Sequence, residues 1–255
     1  MTDTLFDPHY EYLRERAIAA YPNEGVWIVT EDEVLEVENL SKDPRNSFSV
    51  DALKLAAIRN TGVKFGLVHS HPDAYEVPSA HDMRQQALCG EPWAILSCDG
   101  TNCSPLVKFG GEYDPPLWNR HFIHGVSDCY AFIRAWYAQY NVTLPDFPRD
   151  WQWWHKDESL YLEGFSKAGF TQVHDAPRKG DMFMFALTSE TPSHAAVYEG
   201  DELISHHVGS RLPIDTARMP VTEPIHRWYP LISGVFRHKD FPNDASGTGE
   251  SGEGV

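Results

Sequence analysis

The sequence has few cysteines, few basic residues and no long apolar stretch. Its four cysteines are Cys89, Cys98, Cys103 and Cys129. None of them forms a C-x-x-C pair, so a disulfide scaffold is not expected in a chain of 255 residues. Lysine and arginine total 21 against 37 acidic residues, and the formal net charge of -16 argues against nucleic acid as a partner. The apolar runs fall far short of the roughly 20 residues of a membrane span, so none is expected.

The length and composition of the chain predict two domains and a tail. The N-terminal stretch MTDTLFDPHYEYLRER has neither a basic start nor an apolar segment, so we expect no export signal. Hydrophobic residues make up 42% of the chain, enough for two ordinary cores. The stretch FGGEYDPPLWN is dense in glycine and proline, which is typical of a linker. We expect a first domain over 1–110, a linker over 111–118, a second domain over 119–238 and a polar, disordered tail over 239–255.

Apolar periodicity predicts a mixed α/β first domain. A helix with Asp7 as its N-cap and Pro8 in its first turn should end before Tyr21-Pro22. Further helices are predicted near 50–59 and 79–89, with strands near 26–29, 34–37, 65–69, 94–97 and 106–109. In the second domain, helices are predicted from Ser127 and near 160–168, and several strands between 182 and 235.

The segment GLVHSHPDAYEVPSAHDM, residues 66–83, contains the pattern H-x-H, seven residues, S, two residues, D. Because side chains alternate along a strand, His69 and His71 should point to the same side. Ser79 and Asp82 form an S-x-x-D pair, which predicts a capping box at a helix start. Two histidines and a carboxylate are also the ligands of a catalytic zinc site that keeps one position for water. Asp82 can serve both roles from the rigid end of a helix.

A zinc-bound water needs a general base, and Glu24 in YPNEGVWIV precedes a neighbouring strand. Alone, a glutamate after Pro-Asn is ordinarily a loop charge. Together with H-x-H-P and S-x-x-D at these spacings, it resembles the JAMM (MPN+) metalloprotease family. The resemblance implies a Zn2+ cofactor with His69, His71 and Asp82 as ligands. It further implies proton shuttling by Glu24 and oxyanion stabilisation by Ser79.

The stretch GVSDCYAFIRAWYAQY, residues 125–140, has the apolar stripe of a helix. With Ser127 as the predicted N-cap, Cys129 falls in the first turn, where the helix dipole favours the thiolate. A small buried residue is the ordinary interpretation of such a cysteine. Downstream, SHAAVYEGDELISHH (193–207) predicts a hairpin, and His194 at its start is placed to activate Cys129.

A polar residue on the paired strand of this hairpin should orient His194, as in catalytic triads. A two- or four-residue turn would set His207 opposite His194. A three-residue turn with a bulge would select His206 instead. Periodicity alone does not decide between the two histidines.

Residues 113–237 resemble the NlpC-type cell-wall cysteine peptidases, in which DC opens a helix and GD precedes an apolar strand. In that family H-x-x-x-Y-x-G follows, with a polar residue late in the next strand. The resemblance implies a papain-like α+β domain with Cys129, His194 and His206 as its triad. The tyrosine and paired glycines that usually precede the cysteine are replaced by RHFIHGVSDC, in which His124 is the candidate oxyanion donor.

A JAMM/MPN-like α/β domain followed by an NlpC-type domain resembles the tail tip assembly proteins of lambda-like phages. The resemblance implies a peptidase whose partners are peptidoglycan stem peptides and other tail tip proteins. It also implies a location in the host cytoplasm during assembly, and at the virion tail tip or in the host periplasm in action. Two other interpretations remain. One is an assembly factor whose peptidase folds serve partner binding or processing of a tail protein, and the other is an isopeptidase acting on ubiquitin-like tails.

Overall fold

The chain folds into two compact units in the computed structural model, which describes residues 5–156 and 160–242. Within these bounds, the first unit consists of 5–115, 123–126 and 148–151, and the second of 116–122, 127–147, 152–156 and 160–242. The chain therefore passes between the units several times, whereas the sequence predicted one passage over 111–118. No helix in the described ranges is long and apolar enough to cross a bilayer.

The first unit contains a five-stranded sheet and three helices. Its strands are β1 (Val26–Thr30), β2 (Val34–Val37), β3 (Phe65–Pro72), β4 (Trp93–Cys98) and β5 (Val107–Phe109). Its helices are α1 (Tyr10–Ala20), α2 (Ala52–Thr61) and α3 (Ala80–Cys89). The strand order is β2-β1-β3-β4-β5, with β3 and β4 parallel and the other neighbours antiparallel. Each element predicted for this unit is present, and the strand of the H-x-H motif extends to Pro72.

Side-chain alternation divides the core of the first unit between the two faces of its sheet. On one face, Leu13 of α1 packs with Trp27 of β1. On the other face, Leu67 of β3 packs with apolar residues of α2 and α3. His69 and His71 alternate onto the same face as Leu67. The sheet therefore presents both imidazoles to the side that α2 and α3 cover.

Two helix starts in the first unit were predicted from short polar motifs, and one of them is wrong. The capping box is confirmed at α3, where the Asp82 N–H donates to Ser79 Oγ at 3.1 Å and the Ser79 N–H donates to Asp82 Oδ2 at 2.8 Å. Asp7 is not an N-cap, because it lies inside a 3-10 turn before α1. Its carboxylate pairs with Lys108 instead.

The second unit contains a six-stranded antiparallel sheet with the order β12-β10-β9-β8-β13-β7. Its strands are β7 (Phe170–Val173), β8 (Met182–Phe185), β9 (His194–Gly200), β10 (Leu203–His206), β12 (Val221–Pro224) and β13 (Ile232–His238). The remaining elements are the short strands β6 (Phe122–Ile123) and β11 (Ile214–Asp215) and the helices α4 (Cys129–Ala138) and α5 (Leu160–Lys167). The sequence pattern did not predict β7.

The larger core of the second unit lies between the sheet and α4, through Phe132, Ile133 and Trp136. Phe241 joins this core, with its ring stacked 5.6 Å from that of Trp136. Residues 239–242 were assigned to the tail from their sequence, and that boundary is wrong because Phe241 packs here. The rest of the predicted tail, 243–255, lies outside the described residues.

Candidate functional sites

Three ligand-type side chains converge in the first unit. The Nε2 atoms of His69 and His71 are 3.0 Å apart, and oxygens of Asp82 lie 3.5 and 3.6 Å from them. Ligand atoms bound at roughly 2.0–2.2 Å around a tetrahedral metal lie about 3.3–3.6 Å from one another. Among the residues that the structure describes, this is the one cluster of His, Cys, Asp or Glu close enough to hold a metal ion. The separations fit a single divalent cation.

The backbone determines which nitrogen of His71 faces this cluster. His71 Nδ1 lies 2.7 Å from the carbonyl oxygen of Tyr75, which can only accept a hydrogen bond. Nδ1 therefore carries the proton, and Nε2 turns a lone pair towards His69 and Asp82. Two imidazole nitrogens 3.0 Å apart beside a carboxylate need a proton or a cation between them. The donor set thus fits zinc chemically as well as in its spacing.

Burial and charge move the pKa values in this cluster in different directions. Burial lowers the pKa of His69, which favours the neutral imidazole that binds metals. Burial alone would raise the pKa of Asp82, but the adjacent histidines outweigh it and hold that pKa well below its usual range. Burial raises the pKa of Glu24 to about 8, and the charge of Asp82 adds to the effect. A carboxyl group with a pKa near neutrality can both accept and donate a proton.

Glu24 and Ser79, the two other residues predicted for this site, lie with His71 and Asp82 around a cavity of about 310 Å³. The Ser79 hydroxyl donates to Asp82 Oδ2 at 2.6 Å. In this arrangement Ser79 orients the carboxylate, and its hydroxyl hydrogen points to Asp82 rather than into the cavity.

The segment 148–151 contributes to the same cavity and was not identified from the sequence. Asp150 and Trp151 line the cavity wall. Asp150 Oδ1 accepts a hydrogen bond of 2.8 Å from the Ala80 N–H, at the first residue of α3. This carboxylate therefore stabilises the helix end that carries Asp82. No local motif signals such a contact, because 70 residues separate Asp150 from Ala80.

Cys129 is the first residue of α4 in the second unit. The predicted N-cap at Ser127 is wrong, since Asp128 caps the helix and accepts a hydrogen bond of 3.0 Å from the Ala131 N–H. The Ser127 hydroxyl donates to the His121 carbonyl oxygen instead, at 2.7 Å. Cys129 still lies in the first turn, where the partial positive charge of the helix end favours a thiolate.

His194 begins β9, the strand against which α4 packs. Its Nε2 lies 2.8 Å from His206 Nδ1. Burial lowers the pKa of His194 well below its ordinary value, and the charges of His206 and His207 add to this, whereas Asp128 opposes it. Cys129 begins α4 and His194 begins β9, and these two elements pack against each other. A neutral imidazole there is suited to accept a proton from the thiol.

A β-bulge determines whether His206 or His207 lies on the same face of the sheet as His194. The turn at 201–202 has two residues. A regular hairpin with a two-residue turn would place His207 on the same face as His194. The pairing shifts by one residue just after this turn, and each later residue of β10 moves to the other face. His206 therefore shares a face with His194. His207 points away, with Nε2 3.2 Å from the carbonyl oxygen of Arg218.

Tyr161 of α5 contacts Cys129 and was not identified from the sequence. Its hydroxyl lies 2.9 Å from Cys129 Sγ. The ring is held by Trp153 and Phe165, whose ring centroids are 5.1 and 5.0 Å away. His124, the oxyanion donor considered from the sequence, belongs to the first unit, where its Nε2 lies 3.3 Å from a backbone carbonyl oxygen. In the sequence, Tyr161 is indistinguishable from the other aromatic residues of a core-facing helix.

Comparisons with known families match both units in the predicted order. Prokaryotic homologs of the JAB domain match residues 6–107, and the NlpC/P60 family matches residues 108–226. The protein therefore combines a JAB-like domain with a papain-like NlpC/P60 domain, and the predicted fold class is confirmed. The NlpC/P60 match implies a peptidase or related hydrolase.

Two curated relatives share most of this chain. Tail tip assembly protein K of Escherichia phage lambda is 34% identical over 174 residues, which cover 68% of this chain and 81% of the relative. Tail tip assembly protein K of Escherichia phage N15 is 28% identical over 208 residues, which cover 77% and 84%. The chain belongs to the tail tip assembly protein K family.

Solved structures of NlpC/P60 proteins show low overall similarity to the chain. One from Bacillus cereus is 14% identical, covers 89% of this chain and 67% of its own, and has a TM-score of 0.33. An NLP/P60 family protein from Staphylococcus aureus is 15% identical, covers 66% and 43%, and has a TM-score of 0.29.

Proposed function

We propose that this protein is a tail tip peptidase of a phage or prophage, and that its second unit cleaves peptide bonds in the stem peptides of bacterial peptidoglycan. The observation that carries the proposal is the hydrogen-bonded pair of His194 and His206 on the two strands against which α4, the helix that begins with Cys129, packs. The NlpC/P60 match supports a hydrolase, and the relatives named for tail tip assembly support the location.

In the proposed reaction Cys129 is the nucleophile. His194 accepts the thiol proton, and the sulfur attacks the carbonyl carbon of the substrate amide. The C–N bond then breaks, and His194 returns the proton to the leaving amine, so that a thioester remains on Cys129. Water, deprotonated by His194, hydrolyses the thioester to a carboxylate and restores the thiol. His206 holds the imidazole of His194 in orientation through these steps.

The Tyr161 hydroxyl is close enough to Cys129 to donate a hydrogen bond to the negative charge that develops there during the reaction. Replacing Tyr161 by Phe keeps the ring between Trp153 and Phe165 but removes the hydroxyl. We expect kcat for stem-peptide cleavage to fall about 10- to 100-fold at an unchanged melting temperature. Steady-state kinetics with soluble peptidoglycan fragments measures this change. The matched control is Tyr198→Phe, and a kcat for Tyr161→Phe equal to that of the control would contradict the role.

In the first unit, we propose a zinc metallopeptidase site with His69, His71 and Asp82 as ligands. Zinc bound there would supply a Lewis acid and lower the pKa of a coordinated water. Glu24 faces the same cavity and can take up and release a proton near neutral pH. Ser79 fixes the orientation of the Asp82 carboxylate. The spacing of the three ligand atoms supports this assignment.

The names of both relatives favour a second function, because both are assembly proteins. In that case the partners are other tail tip proteins, and the first unit processes one of them or binds it. Assembly takes place in the host cytoplasm, and the peptidase acts later, at the virion tail tip or in the host periplasm.

The proposal is tested by incubating the full chain with purified peptidoglycan and measuring the masses of the released fragments. We expect fragments with cut stem peptides, which persist in the presence of a chelator and disappear after thiol alkylation. Loss of the fragments with chelator alone would assign the cleavage to the metal site. Intact sacculi under all conditions would favour the assembly function.

A further inference from the structure

Glu223 extends the hydrogen-bonded histidine pair by one residue. Its Oε1 lies 3.0 Å from His206 Nε2, the nitrogen of His206 that does not face His194. In the register of β10 and β12, Glu223 pairs with Ile204. Residues 204 and 206 lie on the same face of β10, so Glu223 is a diagonal neighbour of His206 on that face. A continuous chain of three side chains therefore runs along one face of the sheet.

The surroundings of Glu223 identify it as a hydrogen-bond acceptor. The Trp228 Nε1–H donates to the same Oε1 at 3.1 Å. The guanidinium of Arg227 lies 3.6 Å from Oε2. The ring of Trp228 also packs edge-on against His206, with centroids 4.8 Å apart. An indole N–H can only donate a hydrogen bond, so the Glu223 carboxylate is the acceptor of this bond.

An accepting carboxylate determines the tautomers along the chain. His206 Nε2 must carry a proton to bond Glu223, so Nδ1 of the neutral His206 ring has a lone pair. That lone pair accepts from His194 Nε2, which therefore carries the proton of its own neutral ring. The remaining nitrogen, His194 Nδ1, is left as the base.

We propose that Glu223 is a positioning residue that fixes the tautomers of His206 and His194 and stabilises the imidazolium formed when His194 takes up a proton. The inference rests on the proposed role of Cys129 as the nucleophile and extends its site from three residues to four. Other charged or titratable groups near the two rings are Asp128 at the start of α4, His207 just after β10 and Arg227 after β12. Glu223, unlike these three groups, has a hydrogen bond to the His206 ring.

The experiment compares Glu223→Gln with the wild-type protein by the rate at which iodoacetamide alkylates Cys129. The rate is measured from pH 5.5 to pH 10 and read from the Cys129 peptide by mass spectrometry, so that the other cysteines do not contribute. An uncharged amide no longer stabilises the imidazolium, so less thiolate forms by proton transfer to His194 at neutral pH. We expect the ratio of the rate at pH 7 to the rate at pH 10 to fall about 3- to 10-fold.

The matched control is Glu202→Gln, an exposed glutamate of the same unit that should leave this ratio unchanged. A wild-type ratio in Glu223→Gln would overturn the inference and leave the role of Cys129 intact. Equal loss of rate at pH 7 and pH 10 would also overturn it, because it would indicate only a structural role. If wild-type Cys129 showed no reactivity at neutral pH, the proposed nucleophile itself would fail.

A double variant tests whether Glu223 acts through His206. In a His206→Asn background the carboxylate has no imidazole to orient, so adding Glu223→Gln should not lower the ratio further. A further fall of the same size as in the wild-type background would contradict the proposed chain.

Discussion

A Cys129→Ser variant is expected to fold normally and to lose stem-peptide cleavage by at least about a thousandfold. A serine hydroxyl stays protonated at neutral pH, and the helix end and His194 cannot make it a comparable nucleophile. The loss is measured as the rate of release of cut stem peptides from purified peptidoglycan. The melting temperature of the variant should match that of the wild type.

Cys103→Ser is the matched control, because Cys103 is a partly buried free thiol of the first unit. It should retain the wild-type rate. His194→Ala should be impaired about as strongly as Cys129→Ser, and His206→Ala less strongly, since the proposed role of His206 is only to orient His194. Wild-type cleavage by Cys129→Ser would exclude this cysteine as the nucleophile.

The second expected result concerns metal content, which should be about one zinc per wild-type chain. His71→Ala removes one of the three proposed ligands and should weaken zinc binding by more than about a hundredfold, since loss of a residue that merely supports a ligand already costs 10- to 100-fold. Glu24→Gln should keep the metal, because Glu24 is not among the proposed ligands, and should lose any hydrolysis at this site. Elemental analysis after dialysis measures both variants.

The matched control for metal content is His81→Ala. His81 lines the same cavity and lies next to Asp82 in the sequence, but it is exposed and outside the cluster of three. Its replacement should leave the zinc content unchanged. Full zinc occupancy in His71→Ala would rule out the ligand set.

Local sequence patterns were sufficient to predict those parts of the sites whose residues lie close together in the chain. Alternation in β3 predicted that His69 and His71 share a face, and the S-x-x-D spacing predicted the capping box at α3. The position of Cys129 in the first turn of α4 was also predictable, although the cap is Asp128 rather than Ser127. Adjacent Ser and Asp are both good caps, so their order alone does not decide which begins the helix.

Contacts between distant parts of the chain were not predictable in this way. The bulge that selects His206 depends on the local pairing of two strands, and one residue of shift reverses every side chain. Tyr161 and Glu223 lie 32 and 94 residues beyond Cys129 in the sequence, and neither belongs to a motif. Their positions follow only from the packing of α5 and the pairing of β10 with β12.

Each unit is built from several separate stretches of the chain. Neither unit can therefore be cut out as one continuous piece of sequence. A fragment that ends at residue 115 would keep every residue proposed for the metal site but would lack 123–126 and 148–151. Without Asp150, the Ala80 N–H at the start of α3 would lose its carboxylate partner. Gene fusions or recombination events that join this sequence near its glycine- and proline-rich stretch would therefore transfer the proposed zinc ligands without part of the cavity wall around them.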